Sequence, residues 1–199
     1  MEAVILAGGK GTRLRPFTTT LPKPLMPVGD HPIVSIVINQ LREAGVTKIT
    51  LAVNHLAELI ISFFGTGKRF GVDIVYSLED KPLGTVGPIR RIPDLPEHFL
   101  VMNGDVLTDL NYRSLYCRHL QTGAKLTIAS YERDVCSDFG VLHVDKDSAR
   151  LNAFEEKPTF RFDVSMGVYI FHKSVLDYVP PDQPYGFDDL VHALPFPVP

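Results

Sequence analysis

The chain has 199 residues, of which 45% are hydrophobic and 22% are charged, as in an ordinary globular domain with a sizeable core. Its net charge of -3 gives no general basic surface, so we expect no nucleic-acid partner and a local cluster for any bound anion. The two cysteines, Cys117 and Cys136, lack metal-like spacing and indicate reduced thiols. The apolar run at residues 3–7 is too short for a signal or membrane span, so we expect a cytoplasmic protein with no membrane partner.

The first predicted strand covers residues 2–7, which are short, apolar and bounded by Gly8. A loop with several prolines follows over residues 8–30, and a loop of that length inside a compact domain is usually functional. Residues 31–45 predict a helix, because apolar residues recur there at helical spacing and Gly45 suits the helix end.

The alternation of strand and helix continues along the chain. It predicts strands at residues 48–53, 72–78 and 98–105 and helices at 56–65 and 111–123. Later strands are predicted at 125–131, 140–144 and 164–171, and short helices at 174–179 and 187–194. Repeated strand–helix–strand units indicate an α/β fold with a Rossmann-like, mostly parallel mixed sheet and helices on both faces. The later strands, without long helices between them, predict an antiparallel or mixed extension.

The stretch VILAGGKGTRL at residues 4–14 has the character of a phosphate-binding loop. It fits neither common pattern: Lys10 lies between two glycines, and Leu14 stands where the dinucleotide pattern needs glycine. Residues 3–29 contain four basic side chains and no acidic one. The glycines let the backbone turn its N–H groups inward as an anion nest. Thr12 adds a hydroxyl donor, and Arg13 can clamp phosphate oxygens bidentately.

A second polar motif, Asn103-Gly104-Asp105, ends the strand predicted at residues 98–105. Ligands of open α/β sheets bind outside the carboxyl ends of the strands. We therefore expect this motif and the glycine loop to contribute to one site.

Residues 6–29, LAGGKGTRLRPFTTTLPKPLMPVG, closely resemble the signature of the sugar-1-phosphate nucleotidylyltransferases, the pyrophosphorylases that make nucleotide sugars. Further blocks resemble that family in the expected order: FGTGKRFGVDIVYSLEDKPLGTVGPI, NGDVLTD, FGVLHVD, FEEKP and SMGVYIF. The resemblance implies the nucleotide-diphospho-sugar transferase fold. It also implies one domain over residues 1–199, with a nucleotide-binding half at about 1–110 and a sugar-phosphate-binding half at about 111–199. A homo-oligomer is compatible with it.

The resemblance assigns two substrates to residues of this chain. Nucleoside triphosphate would contact Leu6, Ala7, Gly8, Gly9, Gly11, Thr12, Arg13, Lys23, Glu79, Gly84, Thr85, Asn103 and Gly104. Sugar 1-phosphate would contact Gly140, Glu156, Lys157 and Ser165. By the same resemblance, Lys157 would hold the phosphate, Glu156 would bind sugar hydroxyls and Gly140 would lie against the ring. Ser165 departs from the Asn often seen there, and Thr85 is also expected to cap a short helix.

Asp105 is the expected Mg²⁺ ligand, because a triphosphate nearly always carries this hard cation, which takes carboxylate and phosphate oxygens. Asp109 is expected to belong to a helix N-cap region instead. The family usually has a second metal-binding Asp in a late Trp-x-Asp-Ile-Gly-like block, whereas this chain has no Trp and its ending looks truncated. The seven histidines show no spaced pair and are interpreted as structural or exposed.

The expected reaction joins a sugar 1-phosphate to a nucleoside triphosphate and gives a nucleotide-sugar and pyrophosphate, with Arg13, Lys23 and Asp105 as catalytic residues. The segment KPLGTVGP favours guanylyl transfer to a mannose- or heptose-type sugar. Thymidylyl or other nucleotidyl transfer to a glucose-type sugar is the alternative. A non-catalytic regulatory homologue that binds nucleotide-sugars also remains open, and the failed Walker pattern disfavours a P-loop kinase or ATPase.

Overall fold

The computed structural model describes residues 1–9 and 11–195, without the side chain of Arg13. The chain divides into two compact units. One comprises Met1–Ile128 and the residues from Gly167 onward, and the other is Ala129–Met166. The predicted organisation as one domain, with halves meeting near residue 110, stays a prediction. Among the described residues, no helix combines the length and the apolar character needed to cross a bilayer.

The elements follow the predicted alternation. The strands are β1 Glu2–Leu6, β2 Pro27–Val28, β3 His31–Pro32, β4 Lys48–Val53, β5 Asp73–Leu78, β6 His98–Asn103, β7 Leu126–Cys136, β8 Val141–Val144, β9 Leu151–Glu155 and β10 Thr159–His172. The α-helices are α1 Ile33–Glu43, α2 Ala57–Phe64, α3 Gly87–Arg90, α4 Tyr112–Thr122 and α5 Phe187–Ala193. Short 3₁₀ helices cover Thr12–Leu14, Phe17–Thr19, Lys23–Leu25, Lys68–Phe70 and Lys173–Tyr178.

Six strands form the central sheet in the order β5-β4-β1-β6-β10-β7. Strand β1 pairs in parallel with β4 and β6, β4 pairs in parallel with β5, and β10 runs antiparallel to β6. The predicted α/β fold with a mostly parallel mixed sheet is confirmed. The chain runs from β1 outward to β4 and β5 and then returns to β6 on the other side of β1. Right-handed crossovers in opposite directions place the connecting helices on opposite faces, and the direction changes between β1 and β6.

The proline-rich segment after β1 contains more structure than the predicted loop. Three 3₁₀ helices lie in it, and Pro27–Val28 pairs with His31–Pro32. Helix α1 consequently begins at Ile33 rather than at the predicted residue 31, because the backbone of Pro32 is extended in this pairing. Of the apolar residues predicted to form the stripe of this helix, Val34, Val37 and Leu41 are fully buried and Ile33 and Ala44 are half-buried. The structure also buries Ile38.

The core on one face of the sheet joins β1, β6 and β10 to the elements that follow them. Its buried members are Val4, Val86, Ile89, Ile92, Leu95, Phe99, Val101, Tyr169, Phe171, Val175, Leu176, Val179 and Leu190. The helix predicted at residues 174–179 is the 3₁₀ helix Lys173–Tyr178, and α5 supplies Leu190. This packing holds strand β6, and therefore the motif at its end, in place.

The second unit is built from β8, β9 and parts of β7 and β10. Strands β8 and β9 form an antiparallel pair in which Val141 lies opposite Glu155. The predicted strand at 125–131 extends to Cys136, and the one predicted at 164–171 begins at Thr159. Residues 132–136 at the end of β7 are mostly polar and carry no strand signal, whereas residues 159–166 of β10 alternate polar and apolar side chains, a period-2 pattern typical of a strand that the prediction overlooked.

Candidate active site

A cavity of about 680 Å³ lies at the carboxyl ends of the parallel strands. Eleven predicted residues line it: Leu6, Ala7, Gly8, Gly9, Lys23, Glu79, Gly84, Thr85, Asn103, Gly104 and Asp105. The cavity also contains Pro24, Asn54, Pro82, Leu83 and Pro88, which the sequence analysis did not select. The glycine loop, the turn after β5 and the motif after β6 therefore share one cavity, which is large enough for a small organic ligand.

Backbone hydrogen bonds fix the two central strand ends beside one another. The Gly104 N–H donates to the Leu6 carbonyl at 3.0 Å, and the Ala7 N–H donates to the Ala52 carbonyl at 2.8 Å. A Cβ placed on Gly104 would lie 3.1 Å from the Leu6 carbonyl oxygen, so this close approach favours glycine. The chain thus leaves β6 directly beside the end of β1, and Asp105 follows at the cavity wall.

Lys23 and Asp105, two of the predicted catalytic residues, form an ion pair in the cavity. Lys23 begins a 3₁₀ helix after the extended Pro22, and Asp105 follows the end of β6. Their side chains are 33% and 39% exposed, so solvent and a ligand reach both. A carboxylate at the cavity wall supplies the oxygen ligand that a hard cation such as Mg²⁺ requires. The residues present therefore fit such an ion.

The glycine loop offers free backbone donors to the cavity. Among the described residues, the N–H groups of Gly8 and Gly9 have no hydrogen-bond acceptor, as an anion nest requires. Gly11, with a φ of 58°, accepts from the Thr18 hydroxyl at 2.8 Å and braces the loop. Gly11 and Thr12 are not among the residues that line the cavity. Lys10 and the side chain of Arg13 lie outside the described part of the chain.

Glu79 follows β5 and borders the glycine loop. Its carboxylate accepts from the Leu83 N–H at 3.4 Å, and a Cβ on Gly8 would lie 2.7 Å from its Oε1. Burial raises the pKa of Glu79, while the Leu83 N–H and Arg91 oppose this effect. The Asn54 amide donates to the Glu79 carbonyl at 3.1 Å. Asn54 immediately follows β4 at the same sheet edge. A polar residue directly after a predicted parallel strand is the sequence feature that could have identified it as part of the site.

The turn at residues 83–87 is fastened by a distant segment of the same unit. The Tyr185 carbonyl accepts from the N–H groups of Val86 and Gly87 at 3.0 and 3.2 Å. The Tyr185 N–H in turn donates to the Leu83 carbonyl at 2.9 Å. Gly84 has a φ of 77°, and a Cβ on it would lie 2.6 Å from the Tyr185 carbonyl oxygen. The turn therefore requires glycine at this position for both its conformation and its close contact.

The expectation that Thr85 caps the following helix is wrong. Helix α3 has Val86 at its N-cap and no side-chain cap. The Thr85 hydroxyl instead accepts from the Phe187 N–H at 2.9 Å, because the 185–187 segment passes beside it. By contrast, α4 is capped by Asn111, whose side chain accepts from the Ser114 N–H, and Asp109 lies just before that cap as expected.

The predicted sugar-phosphate residues lie in the second unit. Gly140 directly precedes Val141 and Glu156 directly follows Glu155, the residues that form the end pair of β8 and β9. A Cβ on Gly140 would lie 3.2 Å from Glu156 Oε2 and 2.6 Å from the Phe154 ring. Lys157 is exposed and has a φ of 44°, a conformation that costs a non-glycine residue about 1–2 kcal/mol. Strain of this kind concentrates at functional sites. Ser165 is exposed within β10 and interacts with another group of the protein.

Residues 2–188 match the family model described as Nucleotidyl transferase. The chain is 38% identical to a UTP–glucose-1-phosphate uridylyltransferase of Synechocystis sp., over 98% of this chain and 57% of the relative. It is 39% identical to a mannose-1-phosphate guanyltransferase of Candida albicans, over 90% of this chain and 52% of the relative. The chain thus spans a little more than half the length of these relatives.

Solved structures share the fold. HddC from Yersinia pseudotuberculosis superposes with a TM-score of 0.71 at 30% identity, covering 94% of this chain and 82% of HddC. The same protein has been solved in complex with GMP-PN. A putative glucose-1-phosphate thymidylyltransferase from Bacillus anthracis, solved in complex with a sucrose, gives a TM-score of 0.71 at 26% identity and covers 89% and 74% of the two chains.

Proposed function

Because the chain belongs to the nucleotidyl transferase family, we propose that it transfers a nucleotidyl group from a nucleoside triphosphate to a sugar 1-phosphate, releasing pyrophosphate. The observation that carries this proposal is the cavity at the carboxyl ends of β1 and β6. It joins free backbone donors, a cation and a carboxylate, together with a rigid turn beside them. These are the groups that a polyphosphate with its metal ion requires.

Charge stabilisation and positioning account for the proposed chemistry. The attacking group is a phosphate oxygen, which is largely deprotonated at pH 7 because its second pKa is about 6, so no general base is needed. In-line attack at the α-phosphorus brings two polyanions together. The free N–H groups of Gly8 and Gly9 and the Lys23 ammonium offset that repulsion, and Arg13 is proposed to stabilise the departing pyrophosphate. Lys157 is proposed to align the incoming sugar phosphate.

Asp105 is proposed to hold Mg²⁺, which when bound neutralises phosphate charge. Asp105 supplies one carboxylate, and Mg²⁺ in nucleotide sites uses one or two, together with phosphate oxygens and water. Its ion pair with Lys23 holds the carboxylate at the cavity wall before substrates arrive. Lys23 contributes the complementary positive charge for the phosphates.

We propose guanylyl transfer to a mannose- or heptose-type sugar, with GTP as the nucleotide. The guanyltransferase of Candida albicans and the GMP-PN complex of HddC support this specificity. The Synechocystis uridylyltransferase and the Bacillus anthracis neighbour support the alternative, uridylyl or thymidylyl transfer to a glucose-type sugar. We place the reaction in the cytoplasm and leave the homo-oligomer as a prediction.

Pyrophosphate release tests the proposal. The purified chain with Mg²⁺ is assayed against a matrix of nucleoside triphosphates and sugar 1-phosphates, and reactions without sugar phosphate serve as controls. GTP with mannose 1-phosphate or a heptose 1-phosphate is expected to give the highest kcat/KM. Preference for UTP or dTTP with glucose 1-phosphate would favour the alternative specificity. Release of inorganic phosphate would indicate an ATPase, and nucleoside diphosphate formed with a phosphorylated acceptor would indicate a kinase. Binding of nucleotide-sugar without turnover would leave only the regulatory function.

Arg13→Ala and Lys157→Ala are expected to affect different kinetic constants. Loss of Arg13 should mainly lower kcat, because its contact strengthens as pyrophosphate leaves, whereas loss of Lys157 should mainly raise KM for the sugar phosphate. Each lost charged hydrogen bond costs about 1.5–3 kcal/mol, or roughly 10- to 150-fold. Steady-state kinetics measure both, with the exposed Arg15→Ala and Lys146→Ala as matched controls. Equal losses confined to kcat in both variants would refute the division of roles.

A further inference from the structure

Three histidines and a glutamate lie together at the amino end of β6, whereas the cavity lies at its carboxyl end. In the antiparallel pairing of β6 with β10, His98 lies opposite His172, so the two side chains project from the same face. Their rings meet edge to face with centroids 4.9 Å apart. One ligand atom from each of Glu97, His98 and His172 lies within 4.8 Å of the other two.

His98 is oriented by a second row of hydrogen bonds. Its Nδ1 lies 2.9 Å from Nε2 of His119, and His119 Nδ1 lies 2.7 Å from the Thr127 hydroxyl. His119 is fully buried. When the His119 proton is on Nδ1, the His119 Nε2 accepts from His98 Nδ1–H. The Nε2 of His98 then carries no proton and keeps its lone pair for a metal ion.

His172 is oriented in a similar way from the other strand. Its Nδ1 lies 2.7 Å from the Ser174 hydroxyl, and its Nε2 lies 3.4 Å from Glu97 Oε1. The Ser174 N–H also donates to Nδ1 at 3.1 Å. If Nε2 ligates a metal, Nδ1 carries the proton and donates it to the Ser174 hydroxyl, while the Ser174 N–H loses its acceptor. This loss moderates the affinity, and we expect it in the micromolar range.

We propose that Glu97, His98 and His172 bind a zinc-type transition-metal ion at a site separate from the nucleotide cavity. Two imidazoles and one carboxylate form a ligand set that suits Zn²⁺ and leaves one position for water. Hydrogen bonds from the second ring nitrogen to His119 and Ser174 are the outer partners that metal-ligating histidines have. Glu97 is 77% exposed and His172 is 30% exposed, so the ion has access. The bound ion would tie β6 to β10.

Calorimetric titration of the reduced, chelator-treated, nucleotide-free chain with ZnCl₂ tests the site. We expect one micromolar event that is weakened about 10-fold or more by His172→Gln and by Glu97→Gln, and about 10-fold by Ser174→Ala through the lost outer partner. Glu97→Gln changes an exposed side chain and leaves the fold intact. The matched controls His31→Ala and Asp105→Asn should bind Zn²⁺ as the parent does.

Two further measurements separate this site from other ligands. Co²⁺ in place of Zn²⁺ should give visible absorption without a thiolate charge-transfer band, because the exposed Cys117 and Cys136 take no part. Zn²⁺ should raise the Tm of the parent chain and should raise that of Glu97→Gln less at the same Zn²⁺ concentration. The proposal is overturned if Zn²⁺ does not bind, if Glu97→Gln and His172→Gln bind it normally, or if Asp105→Asn alone removes the binding.

Discussion

Asp105→Asn is expected to lower kcat for pyrophosphate release by about 100-fold or more, in the range found when a group that stabilises transition-state charge is removed. Asn keeps the size of the side chain and an oxygen that can accept from Lys23, but it lacks the negative charge that a hard cation requires. The only other carboxylate among the described residues lining the cavity is Glu79. It is already engaged by Leu83 N–H.

Asp109→Asn is the matched control for this substitution. Asp109 is exposed and borders a separate pocket with Asn111 and Arg113, so its variant should retain parental activity. Calorimetry with Mg²⁺ adds a second measurement. Little Mg²⁺ should bind the free chain, where Lys23 neutralises Asp105, and much more should bind once triphosphate is present. Near-normal turnover by Asp105→Asn, or tight Mg²⁺ binding to the free chain, would show that a carboxylate other than Asp105 is the Mg²⁺ ligand.

Gly84→Ala is expected to weaken nucleotide binding by about 10-fold or more and to destabilise the fold. An L residue at φ 77° costs about 1–2 kcal/mol. In addition, the new Cβ would meet the Tyr185 carbonyl oxygen at 2.6 Å, so the turn or the 185–187 segment must move. Both the Kd for nucleotide, from calorimetry, and the free energy of unfolding, from urea denaturation, should change.

Gly123→Ala separates the two causes. Gly123 also has a positive φ, 64°, but a Cβ on it would meet nothing within 4 Å. This variant should therefore be destabilised only by the cost of an L residue at positive φ, and it should bind nucleotide as the parent does. Gly84→Ala with the same stability loss as Gly123→Ala and unchanged nucleotide affinity would contradict the assignment of the turn at residues 83–87 to the nucleotide site.

The position of the cavity could be predicted from the sequence because it depends on strand ends. The buried runs before Gly8 and Asn103 identify two strands, and strand–helix alternation makes them parallel, so their carboxyl ends meet at one edge. Asn54 follows β4 at that same edge. It carries no motif of its own, because a lone amide has neither the conformational signature of a glycine nor the charge that marks a phosphate-binding residue.

Other features depend on tertiary pairing and carry no local signal. The contacts of Tyr185 with the turn use its backbone carbonyl and N–H, which every residue except proline has, so no side-chain type reveals them. The proximity of His98 and His172 follows from the antiparallel pairing of β6 and β10. Residues 74 positions apart give no spacing pattern until that pairing is known, and the interpretation of the histidines as merely structural or exposed did not foresee their cluster.

The fastening of the turn at residues 83–87 by the 185–187 segment has a consequence for recognition. Ordering a loop of several residues costs roughly 1–2 kcal/mol per residue in backbone entropy. In this chain the Tyr185 and Phe187 contacts order the turn when the protein folds, so a ligand meets a preorganised surface and its affinity is not reduced by that cost. The same contacts link the amides of Val86 and Gly87 to a segment about 100 positions later. Their hydrogen exchange should therefore report the opening of that segment.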